Sequence, residues 1–136
     1  MQTNEQLLDL LENYLAQREL PTEPERLYDP IRYSLAGGGK RLRPMLLLLS
    51  CGLFADDVDV ALPAAAAVEI FHNFTLLHDD IMDNAAVRRG KPSVYARWGG
   101  NVAILSGVAM LISAYRLLAQ APPALLPRIL EVFYTM

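Results

Sequence analysis

Three aspartates fall within five residues of this chain, in the run Leu76-Leu77-His78-Asp79-Asp80-Ile81-Met82-Asp83. On a helix, Asp79 and Asp83 stand one turn apart on the same face, with Asp80 about 60–80° to one side. His72 lies two turns before Asp79 on the same stripe. Like charges at this spacing destabilise a helix by about a few tenths of a kcal/mol per pair. Apolar neighbours surround these three, so something positive should compensate. Oxygen-only ligands on a helix suit a hard cation, and magnesium takes one or two protein carboxylates and fills its octahedron with water and phosphate oxygens. A zinc site would want histidines or thiols, and the chain has two histidines and one cysteine. An EF-hand is ruled out because the flanks read as continuous helix without the loop glycine. The plain alternative is an acidic helix face paired with nearby arginines and no metal.

Two segments could supply the opposite charge. Gly37-Gly38-Gly39-Lys40-Arg41-Leu42-Arg43-Pro44 joins backbone amides freed by glycine to three cations at a helix start, where partial positive charge adds to anion affinity. It is not a P-loop, because the Gly-x4-Gly-Lys-Ser/Thr spacing and the preceding strand are absent. Read blandly, it is a glycine helix stop followed by surface cations. Arg88-Arg89-Gly90 follows Asp83 closely enough to fold back over the carboxylates, and two adjacent arginines can point to two different anions; the alternative is a solvated basic loop. Ten of the twelve cations are arginines, whose planar fork matches flat oxyanions with two parallel hydrogen bonds.

The elements that must position these groups read as helical almost throughout. Leu7, Leu8, Leu11 and Leu15 keep helical spacing, and Pro21 closes that first helix. Thr22, Pro24 and Glu25 look like a cap and first turn for a helix through Leu27, Ile31 and Leu35 that stops at the glycines. Pro30 inside it predicts a kink or an early break. A third helix should begin near Pro44 and run to about Phe54. A loop and helix start at 56–59 then leads into a long helix over 63–84, opening on Ala64-Ala65-Ala66-Ala67, which favours helix and close approach by neighbours. Residues 88–92 read as a loop, 101–119 as a helix broken by Pro122-Pro123, and a last helix begins near Ala124. No strand-period segment or internal repeat is evident. The expectation is one all-α domain over residues 1–136, an antiparallel helical bundle.

Composition narrows the function classes. With 136 residues, 53% hydrophobic and 20% charged, the chain can bury a real core. Net charge −3 and a pI near 5.3 provide no global basic field for nucleic acid or an acidic membrane. Cys51, the single cysteine, excludes an internal disulfide and a multi-cysteine metal site and fits a reducing cytoplasm. The N-terminus lacks the basic start and apolar core of a signal peptide. No charge occurs from Trp98 to Tyr115, yet Gly99, Gly100, Asn101, Ser106, Gly107 and Ser113 interrupt that stretch. Small residues there read as tight packing between helices rather than as a membrane span.

In this order and spacing, the three charged segments resemble those of the trans-prenyltransferase family, the head-to-tail polyprenyl, farnesyl and geranylgeranyl diphosphate synthases. Gly38-Gly39-Lys40-Arg41-Leu42-Arg43-Pro44 is similar to the family's GGKRxRP, Asp79-Asp80-Ile81-Met82-Asp83 to its first DDxxD, and Arg88-Arg89-Gly90 to its RRG; the likeness covers roughly 28–110. The resemblance implies the N-terminal part of the isoprenoid synthase fold and a magnesium-dependent condensation of an allylic diphosphate with isopentenyl diphosphate. It implies that Asp79 and Asp83 hold magnesium bridging the allylic diphosphate, with Asp80 supporting them and Arg88 contacting that diphosphate. Lys40, Arg43, His72 and Arg89 would bind isopentenyl diphosphate. Residues one turn before the first aspartate set product length in the family, which here points to Phe74 and Thr75, with Phe71 a turn further. An aromatic at that place implies a short product.

The sequence departs from the family in two respects, the first being length, since members are normally more than twice as long. After Asp83 the only acidic residue is Glu131, so nothing resembles the family's second DDxxD. The chain is therefore expected to be the N-terminal part of a synthase, inactive alone, with apolar helix faces covered by self-association into a homo-oligomer such as a dimer. Two other readings use the same residues. A class I terpene cyclase would ionise one substrate without condensation, but it has no second diphosphate for the GGKRxRP segment to hold. A non-catalytic regulatory subunit of a synthase would be expected to lose the aspartates, which are retained.

Overall fold

Spacing of Leu7 and Leu11 produces the first helix, α1 (Asn4–Ala16), which starts on a capping box between Thr3 and Gln6. The computed structural model describes residues 2–18 and 20–136. It continues with α2 (Glu25–Ala36), α3 (Leu42–Gly52), a 3-10 turn (Asp59–Ala61) and α4 (Leu62–Met82). A two-stranded ribbon follows, β1 (Val87–Arg88) with β2 (Lys91–Pro92), then α5 (Val94–Trp98), α6 (Gly100–Leu118) and α7 (Leu126–Tyr134). The described residues are thus all-α apart from that ribbon.

Three expectations need correction. Pro30 does not break α2, which runs on to Ala36. Pro30 and Ile31 are its buried residues, so packing of the ring offsets the lost backbone hydrogen bond. The loop over 88–92 is an antiparallel hairpin with Val87 opposite Pro92 and Arg88 opposite Lys91. Its two tip residues, Arg89 (φ 54°) and Gly90 (φ 76°), are both left-handed, as a tight hairpin turn demands. Finally, Thr22 does not cap α2, whose N-cap is Pro24 with no side-chain hydrogen bond. Beyond these, α5 is a separate short helix, capped by Ser93 and ended at Gly99 with φ 91°.

The chain divides into two compact units. The first comprises Met1–Gln17, Arg41–Glu69 and Ser113–Met136. Its core gathers Leu7, Leu11, Leu48, Val58, Leu62 and Ala65, and the alanine run lets α4 sit close against its neighbours, with Ala65, Ala66 and Ala67 wholly buried. The second unit comprises Arg18–Lys40 and Ile70–Ile112. Ile31, Ile70, Leu77, Val94, Ala103 and Met110 are buried there, and the buried Ser106 hydroxyl donates to the Leu27 carbonyl at 2.8 Å. Small residues of α6 pack closely in this unit: a Cβ on Gly107 would collide with the His78 ring.

By length and composition alone, the segments Asp59–Met82 and Gly100–Leu118 are apolar enough to cross a membrane, and of the apolar 18-residue stretch within each, 44% and 39%, respectively, is buried within this structure.

Candidate active site

The acidic run ends α4. Asp79 and Asp80 lie in its last turn, and Asp83 follows Met82 with its N–H still donating to the Asp79 carbonyl at 2.9 Å. That bond places Asp83 one helical turn beyond Asp79. The end of a helix carries partial negative charge from its unsatisfied carbonyls, so this position makes the carboxylates' mutual repulsion worse, not better. Their environments differ. Asp79 and Asp83 are exposed, whereas Asp80 is 2% exposed.

Arg88 resolves the charge on Asp80. The hairpin folds back so that Arg88 Nη2 donates to Asp80 Oδ1 at 2.6 Å and Nε to Oδ2 at 3.2 Å, a two-pronged geometry that fixes the guanidinium plane. The hydrogen bond to Asp80 raises the Arg88 pKa above its ordinary value; partial burial opposes this, and the charges of Asp80, Asp79 and Asp83 add to it. Arg88 therefore stands in the combined field of all three aspartates.

Arg89 turns to the glycine-rich segment. Its Nη1 donates to the Gly38 carbonyl at 2.6 Å and lies 3.5 Å from Asn73 Oδ1. Gly39 sits beneath the guanidinium: a Cβ there would come within 2.9 Å of Arg89 Nη2, and its φ of 126° is a glycine conformation. The glycines thus bring the hairpin and the segment carrying Lys40 together, and Lys40 itself is exposed.

Of the three cations at the start of α3, Arg41 is not presented to solvent. It is 5% exposed, left-handed at φ 52°, and bonded to Glu12 and to Glu69, both at 2.8 Å. Burial pulls its pKa down, but hydrogen bonds to Glu12 and Glu69 and their charges raise it by more. Arg43 is exposed in the first turn of α3, in the first unit. His72 is half-buried in the second unit, and its carbonyl accepts from Thr75 Oγ1 at 2.6 Å. Phe71 and Phe74 meet edge to face at 5.4 Å, and Phe74 meets His78 at 4.7 Å.

Sequence reading missed Asn73, Tyr33 and Ser93. Asn73 and Ser93 are each 1% exposed, and all three line a cavity of about 30 Å³ together with Asp80, Arg88 and Arg89. Asn73 precedes Asp80 by two helical turns, a spacing that could have placed it on the same stripe. Ser93, before a short polar-flanked helix, carried a cap signal and nothing more.

A family profile described as polyprenyl synthetase matches residues 24–136. The chain belongs to the polyprenyl synthetase family. This polyprenyl synthetase chain is 48% identical to the geranylgeranyl diphosphate synthase of Methanosarcina mazei over 99 residues, covering 73% of this chain and 31% of that one. A crystal structure of geranylgeranyl pyrophosphate synthase matches it with a TM-score of 0.95 and 47% identity, over 99% of this chain and 41% of that one. A polyprenyl synthase from Caulobacter crescentus CB15, crystallised with calcium and isoprenyl diphosphate, matches with a TM-score of 0.77 and 32% identity, over 85% of this chain and 35% of that one. The chain therefore spans between 31% and 41% of the length of the curated relative and of the solved geranylgeranyl synthase it matches. Both the all-α expectation and the isoprenoid synthase fold hold.

Proposed function

We propose that these residues serve the magnesium-dependent head-to-tail condensation of an allylic diphosphate with isopentenyl diphosphate, lengthening an isoprenoid chain. The observation that carries this reading is the division among the aspartates. Asp80 is buried and held by Arg88, while Asp79 and Asp83 stand exposed one turn apart. Among the described residues, no three His, Cys, Asp or Glu side chains converge to cage an ion. Two hard carboxylates without a cage suit magnesium, which draws its remaining ligands from water and phosphate. Among the Caulobacter synthase's crystal partners are calcium and isoprenyl diphosphate, which supports a divalent cation beside a diphosphate.

When bound, magnesium supplies positive charge to the departing diphosphate. Arg88, held flat by Asp80, offers its outer edge to the same group, so charge developing on the leaving oxygen meets a fixed donor. The allylic C–O bond ionises, the diphosphate leaving with the bonding electron pair; Lys40, Arg43, His72 and Arg89 bind the diphosphate of isopentenyl diphosphate, whose double bond then attacks the allylic cation, and a proton is lost. Apolar side chains such as Phe71 and Phe74 exclude water from the allylic cation. Phe74, with Thr75 and Phe71, floors the chain-length pocket and favours a short product.

We assign these 136 residues to one helical domain of a longer synthase working in the cytoplasm, with negligible prenyl transfer by this length alone, because relatives extend to more than twice its span. An exposed apolar stripe on α6, formed by Ile104, Leu105, Val108 and Ile112, supports a homodimer.

Titration calorimetry with magnesium pyrophosphate tests the metal reading. Asp79→Asn with Asp83→Asn should weaken binding by at least about tenfold, a loss of roughly 1.4 kcal/mol. Unchanged affinity in that double variant would dispose of the metal assignment.

A further inference from the structure

Outside the charged residues, one side chain ties the arginine hairpin to the acidic helix. Ser93 Oγ donates to the Ala85 carbonyl at 2.6 Å and accepts the Ala96 N–H at 3.0 Å. Its own N–H donates to the Ala86 carbonyl at 3.0 Å, and the Ala85 N–H donates to the Asp80 carbonyl at 2.9 Å. These bonds close a ring. It runs from Asp80 through Ala85 to Ser93, back along the ribbon to Arg88, and from Arg88 to the Asp80 carboxylate. Ser93 is 1% exposed, so water cannot substitute for its hydroxyl. Tyr33 adds an outer tether, its O–H donating to the Pro92 carbonyl at 2.7 Å.

A ribbon of two residue pairs has no stability of its own. Its Arg89 tip is left-handed at φ 54°, a conformation an arginine keeps only when its surroundings impose it. We propose that Ser93 is a positioning residue. It fixes where the hairpin places the Arg88 and Arg89 guanidinium groups for a diphosphate, and it does not touch the diphosphate. This rests on the diphosphate reading above. A helix cap alone would need only to accept the Ala96 N–H; the second bond, donated across the hairpin's base to Ala85, is what a positioning role requires.

Ser93→Ala and Ser93→Thr separate the possibilities, since threonine retains the hydroxyl that makes both hydrogen bonds at a position that lines the cavity. Three quantities are read: amide exchange over 85–92, the NMR signal of the Arg88 Nε–H, and affinity for magnesium pyrophosphate. In Ser93→Ala, hairpin amides should exchange about tenfold faster while those of α1 and α3 keep their rates. The Arg88 signal should vanish, and binding should weaken about tenfold; Ser93→Thr should restore all three. Unchanged hairpin exchange, or faster exchange with undiminished affinity, overturns the proposal. If the unmodified chain binds no magnesium pyrophosphate, the diphosphate reading has failed by itself. The Arg88 signal then decides: survival in Ser93→Ala refutes positioning, and loss supports it. Should Ser93→Ala not fold, Tyr33→Phe removes only the outer tether and should speed hairpin exchange about two- to threefold, with no change counting against the proposal.

Discussion

Arg41 and Arg88 both grip carboxylates, yet they do so in opposite surroundings. The Arg41 and Glu69 side chains are 5% and 3% exposed, whereas Arg88 is 38% exposed over a buried Asp80. Arg41→Met removes the guanidinium from the buried Glu69 carboxylate, and the loss should be about 3–5 kcal/mol in urea denaturation. Arg41→Met with Glu69→Leu should recover much of it, because an apolar pair of similar volume needs no ion partner. The sign of the pH dependence follows from the raised Arg41 pKa. Its contribution is complete below the ordinary arginine range and fades only as pH climbs through the higher folded value. Stability curves from about pH 6 to pH 10 should therefore contain no step from this residue. Sequence made the acidic run and Arg88 legible, because opposite charges lay within a few residues of each other. The fate of Arg41 was not legible, since Lys40, Arg41 and Arg43 look alike in a row. What separates Arg41 is a pair of glutamates 29 residues before and 28 residues after it, a relation no local pattern contains.

At the scale of elements, helices long enough for apolar periodicity to repeat came through from sequence within a few residues. The shorter pieces did not. Five residues of α5 are fewer than two turns, too short for a period to declare itself. The ribbon has no alternation to read, and its turn puts an arginine where glycine or asparagine is the usual signal. The approach of α6 to α4 rests on Gly107, whose missing side chain leaves room for His78. His78 in turn lies against Phe74, one of the proposed chain-length residues. Gly107→Ala should cost about 1–3 kcal/mol by overpacking. His78→Ala should relieve most of that, so a double-mutant cycle should return a coupling near 1 kcal/mol or more. Additive effects would mean that the two side chains do not share the space. In a complete synthase Phe74→Ala should lengthen the product, and an unaltered product would remove Phe74 from the pocket floor.

For the molecule as a whole, exposed apolar surface is the feature that calls for a partner. Ile104, Leu105, Val108 and Ile112 are 42–60% exposed on one helix, a pattern rare on monomers unless something covers it. Light scattering should find a dimer for the unmodified chain, and Leu105→Glu should shift it to monomer. A stable monomer without the substitution would leave the stripe unexplained by self-association. The apolar composition was visible in the sequence; which face would carry it outward was not, because α6 is apolar almost all round and only packing chooses a side.

The acidic turn's place at the tail of α4 has a further bearing on how ligands arrive. A naked pyrophosphate approaching Asp79 and Asp83 meets like charge twice over, from the side chains and from the helix's own carbonyls. On the proposed magnesium reading, depriving the site of divalent ions should thus do more than lower its grip: it would turn a welcoming mouth into a repellent one, the cation serving as the substrate's passport.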